Sequence, residues 1–107
     1  MADLKAQIYD FLKGNHRGHR NAITVRKLAT QFQVTGYEIR MTLRELNLEG
    51  KPIVLFIDPP YGACYAINQT EIEEYRANLV SRLNAIKLRI EAVEKIRIDP
   101  IQGRLFG

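Results

Sequence analysis

At 107 residues, 46% apolar and 26% charged, the chain has the length and composition of one small globular domain with an appendage at most. Its longest apolar run, Ile53 to Ile57, is far too short to span a bilayer, and its one cysteine, Cys64, excludes an internal disulfide. The net charge of +4 is unevenly placed: residues 13–51 carry eight basic against three acidic side chains, and clustered positive charge attracts polyanions.

The first residues alternate charged with apolar side chains and do not read as a signal peptide, so a cytoplasmic protein is expected. Leu4, Ile8, Phe11 and Leu12 fall on one face of an amphipathic helix, which Gly14 is expected to end. Asn15 to Asn21 is polar, basic and without period, and reads as a surface connection. Ile23 opens a short strand. Thr24 then caps a helix from Val25 to about Phe32, with Val25, Leu28, Ala29 and Phe32 at helical spacing.

A tight connection at Gln33-Val34 leads to Thr35 and Glu38, spaced as a capping box. The helix they open turns Ile39, Leu43 and Leu46 inward and ends near Gly50, with Pro52 preventing continuation. Ile53–Ile57 and Ala63–Ile67 read as strands of a hairpin, closed by a turn at Asp58-Pro59-Pro60-Tyr61-Gly62. Thr70 and Glu73 are spaced as a second capping box. A helix of about 28 residues is expected to follow, from Glu71 to Ile98, stopped by Asp99-Pro100. The fold class is therefore mainly α with a small β-hairpin (α+β).

The order of helix, basic loop, short strand, helix, tight turn, helix and hairpin resembles the winged helix-turn-helix family. Ile23–Thr35, with the small Ala29, looks like the first helix and turn of the motif; Ile39–Gly50 looks like its recognition helix; Tyr65-Ala66-Ile67 looks like the second wing strand. The resemblance covers roughly residues 4–68 and implies double-stranded DNA as the partner. It organises the chain as a winged domain over 1–69, a long C-terminal dimerisation helix over 70–98 and a tail over 99–107.

The side chains fit that expectation. With Ile39, Leu43 and Leu46 inward, the other side of the helix carries Tyr37, Arg40, Met41 and Arg44. A major groove admits one helix, and arginine can bond guanine edges there. Thr35 and Gly36 stand at that helix's N-terminus, where backbone amides can bind a phosphate. Thr24, Arg26 and Lys27 open the preceding helix, which in such motifs crosses the DNA backbone. Arg17 and Arg20 in the basic loop are further candidates for phosphates. Lys51 and the turn at 58–61 would form the wing, although its tip carries no Lys or Arg.

Along the last helix, Ile72, Leu79, Leu83, Ile86, Ile90 and Val93 recur at heptad spacing. That stripe predicts a homodimer in a coiled-coil-like pairing, parallel or antiparallel. His16 and His19 have the HxxH spacing, but a metal site needs three or four ligands, so no metal is expected. No catalytic set, cofactor motif or Gly-rich phosphate loop is visible, and no effector pocket can be inferred. A dimeric transcriptional regulator is the leading expectation. The alternatives are a protein-interaction or assembly module, and a replication or mobile-element accessory protein.

Overall fold

A computed structural model describes residues 3–98; the 99–107 tail and the expected Asp99-Pro100 stop lie outside it. The elements are α1 (Leu4–Asn15), α2 (Val25–Phe32), α3 (Gly36–Leu48), β1 (Ile53–Phe56), β2 (Gly62–Tyr65) and α4 (Gln69–Glu94). This is a winged helix-turn-helix with a long C-terminal helix. Contacts divide it between Arg76 and Ala77 into two units.

In the first unit, the three short helices bury the faces their periodicity assigns. Ile8 and Leu12 of α1, Leu28 of α2, and Ile39, Leu43 and Leu46 of α3 form one core with Ile53 and Ala63 of the hairpin. The helix starts are fixed by side chains. Asp3 accepts from the Ala6 amide, and Thr24 from the Lys27 amide at 3.1 Å. Thr35 and Glu38 form the reciprocal capping box. Gln33, in the left-handed conformation (φ 55°), makes the tight turn between α2 and α3.

β1 and β2 pair antiparallel, with Ile53 opposite Tyr65 and Phe56 opposite Gly62. Alternate residues serve two cores. Ile53 and Ala63 face the helical core. Val54, Phe56, Cys64 and Ala66 form a second cluster, covered in part by Ala22, Ile72 and Tyr75. A strand covered on both faces reads as a continuous apolar run rather than an alternating one, which accounts for the run at 53–56, while Ile57 beyond the strand is exposed. Burial pushes the Cys64 thiol up to about 12, as expected of a small buried side chain.

Three expectations are corrected. α1 runs past Gly14 to Asn15, and His16 closes it through its amide to the Leu12 carbonyl at 2.9 Å. The cap of α4 is Asn68, whose side chain accepts from the Glu71 amide at 2.9 Å, and not Thr70 with Glu73. Asn68 and Glu71 carry the same cap spacing two residues earlier. α4 ends at Glu94 instead of Ile98, where the Arg97 guanidinium donates to the Glu94 and Ile96 carbonyls at 2.8 and 3.0 Å and satisfies the terminal acceptors.

The loop at 15–21 is also more ordered than its composition suggests. The Tyr65 amide donates to the His16 carbonyl at 2.7 Å, and the Gly18 amide to the Tyr65 carbonyl at 2.9 Å. Ile23 exchanges both backbone bonds with Ala63, as its strand reading anticipates. The outer edge of β2 is thus paired and closed to other strands. A 3₁₀ turn at His19–Asn21 lies between these pairings.

In the second unit, α4 from Ala77 onward has no buried residue. Leu79, Leu83, Ile86, Ile90 and Val93 are between 42% and 65% exposed.

Candidate nucleic-acid interface

The capping box fixes where α3 begins, and its three buried aliphatic residues fix its rotation. Tyr37, Arg40, Met41 and Arg44 then emerge together on the outer side. Both arginines are exposed, Tyr37 is 69% exposed and Met41 37%. Neither the hairpin nor the rest of the unit covers them. Gly36 adds a local feature. A β-carbon there would lie 3.4 Å from the Arg40 guanidinium, so the missing side chain leaves room for that group against the first turn of α3.

At the N-terminus of α3 the Glu38 carboxylate accepts from the Thr35 amide at 2.9 Å and from its hydroxyl at 3.3 Å. The Thr35 amide is thus taken by the capping box, and the carboxylate offsets part of the helix dipole. Thr24 is likewise occupied as the cap of α2. Arg26 and Lys27 are exposed on the first turn of that helix. They line a shallow cleft with Thr24, Thr30 and Gln31, the last two absent from the sequence expectation.

Arg17 and Lys51 lie toward the base of the hairpin. Lys51 precedes Ile53, which pairs with Tyr65 at the open end of the hairpin, whereas the turn at 58–61 follows the Phe56–Gly62 pair. Lys51 is therefore at the hairpin's base and not at its tip. Its ammonium lies 5.4 Å from the centre of the Tyr9 ring. Lys13 approaches the same ring at 5.9 Å, and the Arg17 guanidinium lies 5.2 Å from the Tyr65 ring. The two tyrosine rings are 6.0 Å apart, and hydrogen bonding to Tyr65 raises the Tyr9 phenol above its ordinary range. Sequence reasoning missed Tyr9 and Lys13 as site residues. Their i, i+4 spacing on α1 was the available signal.

Arg20 is exposed on the 3₁₀ turn. The neighbouring histidines have structural partners. His19 stacks on Phe56 with ring centres 3.7 Å apart and bonds the Asp58 carbonyl at 3.1 Å; His16 bonds the Asn21 carbonyl at 2.7 Å. These contacts buttress the wing from the side. Its tip exposes Ile57 and Tyr61. Among the described residues no cluster of His, Cys, Asp and Glu has the makings of a metal site, and no helix is long and apolar enough to cross a membrane.

Ile72, the first residue of the heptad stripe, is partly buried against the second core cluster inside its own unit. Tyr75 joins it, with its hydroxyl donating to Asn47 at 2.8 Å. The five later stripe residues remain on the exposed part of α4. A shallow groove on its surface is lined by Ile86, Arg89, Ile90, Val93 and Glu94.

The chain matches no family model and no curated protein. Among solved structures it is similar to a GntR family transcriptional regulator from Listeria monocytogenes. The sequences are 18% identical, the TM-score is 0.45, and the likeness covers 97% of this chain and 93% of that one.

Proposed function

We propose that the chain binds double-stranded DNA by laying the outer side of α3 in the major groove, and that it acts as a dimeric transcriptional regulator. The observation that carries this reading is the exposed set Tyr37, Arg40, Met41 and Arg44 on a helix whose opposite side is locked into the core. Two arginines one turn apart provide forked donors suited to guanine edges. Arg26 and Lys27, with Thr24 beside them, are the phosphate contacts of α2, and Arg20 is a further one. Thr35 and Gly36 act indirectly, by setting the start of α3 and the seat of Arg40.

Leu79, Leu83, Ile86, Ile90 and Val93 supply the dimer contact between two copies of α4, with Ile72 held within its own unit. An exposed apolar stripe of that length favours a partner of matching period. A two-fold pair carries two copies of α3 and so matches a pseudo-palindromic site.

Fluorescence anisotropy on labelled duplex, first random and then enriched by selection, tests the reading. The expected result is binding that weakens steeply with salt. Arg40→Ala and Arg44→Ala should each reduce affinity for the selected site by about tenfold or more, while random duplex is affected less. No binding at low salt, or affinity indifferent to salt, overturns it.

A further inference from the structure

The cations gathered at the base of the hairpin have no place in the α3 contact. Lys13 and Lys51 both lie over the ring of Tyr9, and Arg17 lies over that of Tyr65. The three charged groups come from α1, from the segment after it, and from the segment before β1. Their convergence is therefore a product of the tertiary fold. The tyrosines are half-buried and the cations exposed. Among the described residues, no carboxylate is in ion-pair contact with any of the three, although Lys5 nearby on α1 is paired with Glu49. The acidic neighbour is Asp10, whose charge is felt at Tyr9.

We propose that Lys13, Arg17 and Lys51, seated on the Tyr9–Tyr65 pair, form a second phosphodiester-binding surface that takes duplex outside the segment engaged by α3. The proposal rests on the duplex-binding reading above. Two observations choose the phosphodiester backbone over an acidic protein. First, the aromatic faces that would anchor a protein partner are already covered by the protein's own cations, so what remains on offer is charge; protein interfaces draw their affinity from buried aromatic and aliphatic anchors, whereas backbone binding needs only ammonium and guanidinium groups near phosphates. Second, the ring faces hold the long side chains in place before binding, which lowers the entropy cost of fixing them. The cluster lies at the base of the hairpin, at the opposite end from the turn.

The test is the slope of log affinity against log salt on two duplexes carrying the selected site, one of about 18 base pairs (just long enough for two half-sites centred one helical turn apart) and one of about 40. Each phosphate contact adds about 0.9 to the slope. The triple variant Lys13→Gln, Arg17→Gln, Lys51→Gln keeps side-chain length and removes charge. On the longer duplex its slope should fall by about two to three per chain relative to the wild type, and on the short duplex it should be unchanged. Lys13→Arg with Lys51→Arg retains charge and should behave as the wild type on both. Circular dichroism establishes that each variant is folded.

Equal slopes for wild type and triple variant on the longer duplex overturn the proposal while leaving the α3 reading intact. A triple variant with unchanged slopes that loses binding to polyglutamate assigns the surface to an acidic protein, and overturns it too. Failure of the wild type to bind the short duplex at low salt removes the α3 reading, and this proposal with it.

Discussion

A methyl group at position 62 would sit 2.1 Å from the Ile23 carbonyl oxygen, on a backbone already at φ +122°. Both facts come from the pairing of Ile23 with Ala63 across the edge of β2. Only glycine tolerates that approach and that conformation together. Gly62→Ala should therefore cost about 2–4 kcal/mol, since a backbone atom is the obstacle and cannot rotate away. Urea denaturation monitored by circular dichroism measures it. Gly14→Ala is the contrast: nothing lies within 4 Å of its added carbon, the site is helical, and stability should rise slightly. The sequence alone did not separate these two glycines. Gly14 stood where a helix end was expected, and what makes Gly62 irreplaceable is a neighbour 39 positions away.

Two of the local signals were read correctly from the sequence, although the equally local cap of α4 was placed two residues late. Thr24 and Thr35 cap α2 and α3, and the spacing of Ile39, Leu43 and Leu46 set the rotation of α3, because capping and helical period act within one or two turns. The base of the hairpin was not legible, since the gathering of Lys13, Arg17 and Lys51 around two tyrosines depends on register and packing between distant segments. Ile72 shows the same limit. Its heptad position was visible, but that the hairpin's second face would claim it was not. For α4 this narrows the expected seam to the five residues from Leu79. Leu83→Glu with Ile90→Glu places two like charges in that seam without touching any buried residue of the first unit. The pair of substitutions should convert a dimer to a monomer in sedimentation velocity at micromolar concentration, with helix content and the core of the first unit retained.

At the scale of the molecule, the perturbed proton affinities share one direction. Burial raises Cys64 from 9.0 to about 12, hydrogen bonding to Tyr65 raises Tyr9, and the bond to Glu49 raises Lys5. Each group keeps its proton longer in the folded protein than in the unfolded chain. In the interval between the two values the unfolded chain binds fewer protons, so stability falls as pH rises. For Cys64 this loss begins near pH 9.0 and extends to about 12. Thermal melts from neutral pH upward should show a decline on the alkaline side that starts near that lower limit. Cys64→Ala should remove its earliest part, with the remainder setting in at higher pH where tyrosine and lysine titrate.

The carboxylate of Glu71 touches two stretches of backbone far apart in sequence: one oxygen accepts from the Ile67 amide at 3.0 Å, the other from the His19 amide at 2.9 Å. Those amides share a single latch. Swinging that side chain aside removes one bond from the 3₁₀ turn and one from the threshold of α4 in a single movement, so a fluctuation at Glu71 loosens both segments together.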